Sequence, residues 1–239
     1  MLNNSTQKVI NNESKYGDDE LHEPWADVNI FFPIASKLVD PLYNLGFTPN
    51  MVTITSTIFT FLSIYFLHLD KKIHAVLSYI IGYILDCVDG KMARKYSMGS
   101  DLGMVLDATS DIISQSFLFG YLFLTRKFYT KNIIFFTIII LMTYIFSISY
   151  GLNEAIASYE ATGSDNFYER RKKQLKGKAC GLEKPLYYLF LKITEFSYKS
   201  YRSCFPTFNK EEIYSKLKSL KHFGPGNVNI LFACILLLI

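Results

Sequence analysis

Four aspartates between residues 85 and 111 are the side chains of this sequence best suited to chemistry. Asp86 and Asp89 are three residues apart, and on a helix this spacing places both carboxyl groups on one face. Asp107 and Asp111, four residues apart, share a helix face in the same way. If the two helix ends meet, four anions converge and repel one another unless a cation lies among them. The spacing therefore predicts a cation site built from carboxylates.

Long apolar runs flank this segment on both sides, which places the aspartates in membrane helices. A charged side chain near the bilayer centre costs about 2.5 to 3.5 kcal/mol, so acids in such helices are usually functional. Carboxylate oxygens suit Mg²⁺ or Mn²⁺, and these ions commonly keep open positions for phosphate oxygens. Phosphoryl transfer, in which metal ions neutralise phosphate charge and a base accepts a hydroxyl proton, is the chemistry that this cluster indicates.

Small and basic residues surround the aspartates. Gly90, Ala93 and Gly103 leave space where a bulky ligand could approach the backbone. Arg94 and Lys95 add positive charge for a phosphate, and the Arg guanidinium can bind one through two parallel hydrogen bonds. Lys and Arg are also common at the cytosolic end of membrane helices, where they set the orientation of the helix. This role accounts for Arg94 and Lys95 equally well.

The composition of the 239-residue chain indicates a membrane protein, because half of its residues are hydrophobic and 16% are aromatic. The formal net charge is only +4, and no basic stripe interleaved with aromatic residues suggests a nucleic-acid partner. The four cysteines have no CxxC spacing, so we expect neither a metal site nor a disulfide from them. The predicted fold is an all-α, polytopic transmembrane helix bundle.

The chain begins with two different segments. Residues 1–24 are polar and lack apolar periodicity, so we expect disorder there. Residues 25–153 form the next unit, which opens with an amphipathic helix after Pro33. The apolar stripe of this helix comprises Ile34, Leu38, Leu42 and Leu45. A helix lying in the membrane interface, anchored by Trp25, and an ordinary helix packed on protein both fit this stripe.

Four apolar spans follow within this unit, at residues 52–68, 74–86, 100–124 and 132–151. Thr48, Pro49 and Asn50 end the amphipathic helix and begin the first span, since Pro is favourable in a first turn. Ser100 and Asp101 are both suitable caps for the third span. The fourth span is an almost uninterrupted run of Ile, Phe and Leu.

Residues 154–224 are predicted to be a basic cytosolic segment, because five successive charged residues at 169–173 are followed by Lys176 and Lys178. Within it, residues 185–204 carry an apolar stripe interrupted by charges, which favours a helix at the membrane interface over a span. A further apolar helix begins at 225–239, and we expect the sequence to stop inside it, since a span needs roughly 20 residues. A cytosolic position for the basic residues also places the aspartates at the cytosolic side.

The residues around the aspartates resemble the complete signature of the CDP-alcohol phosphotransferase family. The eight signature positions in this sequence are Asp86, Asp89, Gly90, Ala93, Arg94, Gly103, Asp107 and Asp111. The three residues 48–50 are also similar to the segment that precedes the first transmembrane helix in many members. The signature spans only about a tenth of the chain, but its fixed spacing makes it specific.

The resemblance implies an integral, multi-pass membrane enzyme of phospholipid biosynthesis with six transmembrane helices, of which about five are visible here. Such an enzyme passes a substituted phosphoryl group from a CDP-linked donor, either CDP-diacylglycerol or a CDP-amino alcohol, to an alcohol acceptor and releases CMP. The site would face the cytosol, in an endomembrane such as the endoplasmic reticulum if the source is eukaryotic. The resemblance also implies a homodimer.

The resemblance further implies roles for individual residues. The ligands of the divalent metal, two ions of Mg²⁺ or Mn²⁺, would be Asp86, Asp89, Asp107 and Asp111. Asp111 would also act as the base toward the acceptor hydroxyl. The nucleotide and pyrophosphate site would be lined by Gly90, Ala93, Arg94 and Gly103. Asn50 is a further candidate for the same pocket.

The acceptor and two other classes of function stay open. Ile112 follows the last aspartate, where phosphatidylinositol synthases often have Arg, whereas residues 38–42 and 89–91 are similar to choline and ethanolamine phosphotransferases. An amino alcohol and a polyol are therefore both compatible with the sequence. The short carboxyl terminus also allows a degenerate or truncated member that acts as a membrane interaction protein. A cation transporter is less favoured, because the first and fourth spans lack acids and breaks.

Overall fold

The computed structural model describes residues 23–125 and 133–238. Within these ranges the chain is helical and contains no strand, which confirms the predicted all-α class. A π-helical segment, Asp27–Phe31, leads into the α-helices α1 (Phe32–Asn44), α2 (Pro49–His68), α3 (Lys72–Lys95), α4 (Asp101–Leu124), α5 (Ile133–Thr162), α6 (Phe167–Leu175), α7 (Lys184–Cys204), α8 (Lys210–Leu220) and α9 (Pro225–Leu238). The predicted polar tail, 1–24, lies outside the described residues except for Glu23 and Pro24.

Hydroxyl side chains begin α2 and α4. The Thr48 hydroxyl accepts a hydrogen bond from the backbone N–H of Met51 at the start of α2. The Ser100 hydroxyl accepts one from the backbone N–H of Gly103 at 2.9 Å. Ser100, rather than Asp101, therefore caps the helix that carries the second aspartate pair.

Among the described residues, three segments are long and apolar enough to cross a membrane: α2, α3 and Lys210–Leu237. The last comprises α8, a 3-10 turn at Lys221–Phe223 and most of α9. The predicted third and fourth spans correspond to α4 and α5, which have 24 and 30 residues, or about 36 and 45 Å of helix. α5 continues to Thr162, beyond its predicted end at 151. The predicted start of this span, residue 132, lies outside the described residues.

α2 packs against both α3 and α4 and holds them side by side. Its buried small polar side chains are Thr53, Ser56, Thr60 and Ser63. Opposite them on α3 lies Gly82, where a Cβ atom would be 3.1 Å from the Ser56 carbonyl oxygen. The absence of a side chain at Gly82 allows the two backbones to approach closely, as small residues do in packed membrane helices.

α9 packs against α3 and also reaches α4. The Phe232 ring lies 5.3 Å from that of Tyr79 on α3 and 5.1 Å from that of Phe119 on α4, measured between ring centroids. Phe232 and Tyr79 belong to a buried cluster that includes Leu67 of α2 and Leu118 of α4. The apolar core of this half of the molecule therefore lies between α2, α3, α4 and α9.

Asp27 ties the amino-terminal π segment to the start of α9. Its carboxylate is 1% exposed and accepts hydrogen bonds from the Gly226 backbone N–H at 2.9 Å and from the Tyr83 hydroxyl of α3 at 2.6 Å. A Cβ atom at Gly226 would collide with this carboxylate. Beside it, the Asn227 side-chain oxygen accepts a hydrogen bond from the Ala26 backbone N–H at 3.0 Å. The two ends of the described chain therefore meet at α3.

α1 packs beside the carboxyl-terminal part of α3 with a face that contains part of the predicted stripe. Ala35 and Val39 are fully buried, and Leu38 and Leu42 of the stripe pack against the same cluster. The other two stripe residues, Ile34 and Leu45, are 40% and 75% exposed. Trp25 is also exposed, which is compatible with the proposed membrane anchor.

Asp40 links α1 to the end of α3. Lys95 lies 2.8 Å from its carboxylate, and the Tyr96 hydroxyl donates to the same oxygen at 2.7 Å. These two hydrogen bonds, the one from Lys95 first, hold the pKa of Asp40 below its ordinary value. Because the Asp40 side chain is largely exposed to solvent, the ion pair contributes little to stability.

Residues 154–224 form helices that pack on one another and on the end of α5. At the contact between α5 and α7, a Cβ atom at Gly151 would lie 2.8 Å from the Cβ atom of Tyr201. The predicted basic run is not wholly solvated, because Arg170 and Arg171 of α6 lie 3.4 and 3.0 Å from the Glu154 carboxylate. Glu154 is 2% exposed, so the two arginines compensate a buried charge. The helix predicted at 185–204 is α7, which runs from Lys184 to Cys204.

Candidate metal and nucleotide site

Three of the four signature aspartates converge between α3 and α4. Asp86, Asp89 and Asp107 each offer one carboxylate oxygen, and these oxygens lie within 4.8 Å of one another. Oδ1 of Asp86 is buried and has no hydrogen-bond partner among the described residues. A buried carboxylate oxygen without a donor is costly, and a cation would satisfy it. This all-oxygen donor set fits a hard divalent ion such as Mg²⁺ or Mn²⁺.

Thr53 of α2 positions the carboxylate of Asp89. Its hydroxyl donates to Oδ2 of Asp89 at 2.5 Å, and both side chains are buried, at 3% and 5% exposure. This hydrogen bond restrains the carboxylate from outside the cluster, as residues that orient metal ligands do. Thr53 was not predicted as a site residue, although its position three residues after Asn50 places it on the same helix face.

Asp111 occupies a different position from the other three aspartates. It lies one turn after Asp107 on α4, is exposed at the surface of the helix bundle, and is not part of the three-oxygen cluster. Its carboxylate interacts electrostatically with those of Asp107 and Asp89. The helix therefore places Asp111 at the edge of the cluster, where a bound molecule could reach it.

Two signature glycines lie against polar side chains. A Cβ atom at Gly90 would be 3.2 Å from Nη1 of Arg94, so this guanidinium folds back over the glycine. A Cβ atom at Gly103 would be 2.9 Å from Oδ1 of Asn50. The structure thus brings Asn50, at the start of α2, to the signature helix α4. The remaining small residue, Ala93, is half-buried on α3 beside Arg94.

A polar chain from α6 supports the start of α4. Gln174 donates to Oδ1 of Asp101 at 2.6 Å, and Lys178 lies 2.5 Å from Oδ2 of the same residue. Gln174 in turn accepts a hydrogen bond from Arg171 at 3.0 Å, and Arg171 is the partner of the buried Glu154. Asp101 therefore does more than begin a helix, because it joins α4 to α6.

A cavity of about 540 Å³ opens at this junction, beside the Gly103 end of the site. It is lined by Gly99, Ser100, Asp101, Met104 and Gln174. A volume of this size is typical of small-molecule sites. Gln174 was not predicted as a site residue, since no spacing rule relates it to residues 73 positions earlier in the chain.

Comparison with known proteins places the site within one family. Residues 47–175, more than half of the chain, match the family model described as CDP-alcohol phosphatidyltransferase. The match includes all eight signature positions and Asn50. No solved structure matches the chain at a significant level.

Curated relatives match a shorter stretch. An uncharacterized protein of Aquifex aeolicus is 31% identical over 91 residues, which cover 36% of this chain and 46% of that protein. An archaetidylinositol phosphate synthase of Pyrococcus horikoshii is 40% identical over 80 residues, or 33% of this chain and 43% of the relative. A phosphatidylinositol phosphate synthase of Mycobacterium tuberculosis is 33% identical over 97 residues, which cover 40% of this chain and 45% of that protein. The matched stretch thus spans less than half the length of each relative.

Proposed function

The chain belongs to the CDP-alcohol phosphatidyltransferase family, and we propose that it transfers a substituted phosphoryl group from a CDP-linked donor to the hydroxyl of an alcohol. The acceptor oxygen forms the new bond to phosphorus, the phosphoanhydride bond of the donor breaks, and CMP leaves. The family is membrane-bound and acts in phospholipid synthesis. The observation that carries the proposal is the convergence of Asp86, Asp89 and Asp107 at the end of two apolar helices.

We propose that the four signature aspartates hold two ions of Mg²⁺ or Mn²⁺. The three oxygens within 4.8 Å of one another and the unpartnered Oδ1 of Asp86 support this assignment. When bound, divalent ions neutralise charge on the phosphates of the donor. Thr53 fixes one carboxylate in place, so the ligands are preorganised before substrate binds.

Asp111 is proposed as the base that accepts the proton of the acceptor hydroxyl. Its exposed carboxylate stands one turn from Asp107, beside the metal ligands and open to a second substrate. Proton removal there makes the acceptor oxygen a better nucleophile at the moment of attack.

The nucleotide half of the donor is proposed to lie against the two signature glycines. Arg94, folded over Gly90, can bind a phosphate oxygen through its guanidinium. Gly103 and Asn50 form a polar contact at the start of α4 where only a hydrogen atom fits on the glycine. Ala93 keeps the same side of α3 free of bulk. The cavity at Gln174 extends this side of the site.

For the substrates, we propose CDP-diacylglycerol as donor and a phosphorylated polyol such as inositol phosphate as acceptor. The names of the Pyrococcus and Mycobacterium relatives combine a lipid group with inositol phosphate, and their similarity supports this choice over an amino alcohol. We further propose a homodimer in the bilayer with the site toward the cytosol, since Arg94 and Lys95 end α3 beside the aspartates.

The test is CMP release by the purified chain in lipid nanodiscs. Labelled CDP-diacylglycerol is supplied with inositol 1-phosphate, inositol, glycerol 3-phosphate or serine, and CDP-choline with diacylglycerol. We expect release with inositol 1-phosphate, its loss in EDTA and its return with Mg²⁺ or Mn²⁺. No release from any pair would overturn the proposed activity, and release that persists in EDTA would overturn the metal assignment.

A further inference from the structure

Polar side chains continue along α3 and α4 beyond the aspartates. On α3, Tyr79 lies two turns before Asp86, on nearly the same helix face. On α4, Gln115 lies one turn after Asp111. Both positions are farther than the aspartates from the Lys95 end of α3, that is, deeper in the apolar part of the bundle.

Tyr79 joins three helices at this depth. Its hydroxyl donates to Oδ1 of Asn229 on α9 at 2.5 Å and accepts a hydrogen bond from Nε2 of Gln115 on α4 at 3.4 Å. The ring is 3% exposed and packs against Phe232. The Asp111 and Asp86 carboxylates both act electrostatically on the Tyr79 hydroxyl, so this group lies beneath the aspartate cluster. We call Tyr79, Gln115 and Asn229 the floor triad.

One oxygen and one nitrogen atom of the floor triad remain available for hydrogen bonds. Within residues 23–125 and 133–238, Oε1 of Gln115 and Nδ2 of Asn229 have no hydrogen-bond partner. Both side chains are half-buried, so these atoms are neither sealed in the core nor fully solvated. An amide group in apolar surroundings is costly unless its second hydrogen bond is made.

We propose that Gln115 and Asn229 bind a hydroxyl group of the acceptor alcohol. This assignment rests on the proposed function. An alcohol hydroxyl donates one hydrogen bond and accepts others, which matches the acceptor atom of Gln115 and the donor atom of Asn229. Gln115 lies one helical turn, about 5.4 Å, from Asp111, so a polyol whose reacting hydroxyl faces Asp111 can direct a hydroxyl farther along its carbon chain or ring to the floor triad. The triad is uncharged, which suits a polyol better than the ammonium group of an amino alcohol.

The alternative is that the floor triad only attaches α9 to α3 and α4. If the contact is purely structural, its loss changes the KM values for both substrates together, or it changes only the stability of the protein. A binding contact raises the KM for the acceptor and leaves that for the donor unchanged. Tyr79 is a positioning residue in this scheme, because it contacts both amides and no substrate.

The experiment measures KM for inositol 1-phosphate and for CDP-diacylglycerol in Gln115→Leu and Asn229→Leu, with Ser116→Leu as the control. Ser116 is adjacent in sequence and exposed on α4, so the control places the same side chain outside the site. We expect the acceptor KM to rise about five- to tenfold in each variant, as for one lost hydrogen bond, with the donor KM within about twofold. Ser116→Leu should leave both constants unchanged.

Each remaining result overturns a defined claim. An unchanged acceptor KM in both variants, or equal rises in the two constants, would overturn the assignment while the proposed function stands. A lower thermal midpoint with unchanged constants would show a structural contact and also overturn it. Absence of CMP release from the unaltered chain would overturn the proposed function, and with it this assignment.

Discussion

At the scale of single residues, Asp111 is distinguished from the other signature aspartates by its surroundings. Asp86, Asp89 and Asp107 face one another, whereas Asp111 is exposed at the edge of their cluster. A ligand carboxylate must be held against its metal, but a base must be open to the molecule that it deprotonates. The one-turn offset between Asp107 and Asp111 therefore leaves Asp111, beside the proposed ions, as the signature carboxylate most open to the acceptor.

Asp111→Asn should reduce CMP release at least about 100-fold, because an amide of the same shape cannot accept the proton. The amount of protein inserted in the membrane should not change, since Asp111 is exposed. Asp70→Asn, in the exposed turn between α2 and α3, is the matched control and should be fully active. Undiminished release by Asp111→Asn would contradict the base assignment.

Thr53 offers a second test at this scale. Thr53→Val keeps the side-chain shape and removes the 2.5 Å hydrogen bond to Asp89. We expect the Mg²⁺ concentration for half-maximal activity to rise about tenfold, as is typical when a residue that orients a metal ligand is lost. The control is Thr55→Val, because the Thr55 hydroxyl donates to the Met51 carbonyl within its own helix. Equal metal requirements in the two variants would argue against a metal at Asp89.

At the scale of helices, the closeness of α2 and α3 depends on Gly82. A Cβ atom there would lie 3.1 Å from a backbone oxygen that cannot move aside, whereas at Gly120 of α4 nothing lies within 4 Å. Gly82→Val should therefore destabilise the bundle by about 1 to 3 kcal/mol relative to Gly120→Val. The midpoint of thermal unfolding in detergent micelles measures this difference. Similar midpoints would mean that α2 and α3 do not pack as described.

Spacing rules predicted those parts of the site that lie within one helix. The face shared by Asp86 and Asp89 follows from the helical repeat alone, as does the cap at Ser100. The apolar runs likewise predicted the helices, because their lengths exceed those of helices in small soluble domains. The face that α1 buries was predicted in part, because Leu38 and Leu42 pack on the core, whereas the small Ala35 is buried there and the larger Ile34 is exposed.

Residues contributed by other helices could not be predicted in this way. Thr53, Gln174 and Asn229 reach their partners across 36, 73 and 150 positions of sequence. Such contacts depend on which helices are neighbours, and no local periodicity encodes that. The ion pair of Arg171 with the buried Glu154 was not predicted either, because Glu154 lies on another helix, α5.

At the scale of the whole molecule, Asp27 and Gly226 connect the beginning of the described chain to its last helix. Gly226→Ala places a methyl group against the Asp27 carboxylate, so the π segment or α9 must move. We expect a lower thermal midpoint and reduced CMP release, because α9 also carries Asn229 to the floor triad. Gly99→Ala, where nothing lies within 4 Å, provides a control for stability. Wild-type stability of Gly226→Ala would show that this contact is loose.

The hydrogen bond from Gly226 to Asp27 also has a consequence for biosynthesis. Its two residues are 199 positions apart, so at typical rates of about 5 to 20 residues per second the ribosome needs roughly 10 to 40 seconds between them. The other donor to Asp27, the Tyr83 hydroxyl, follows it by only 56 positions and is therefore made much earlier. Synthesis of α9 later supplies both the Gly226 N–H to Asp27 and the Asn229 amide to the floor triad. A nascent chain that has not reached Gly226 therefore lacks both contacts, although its four signature aspartates are already synthesised.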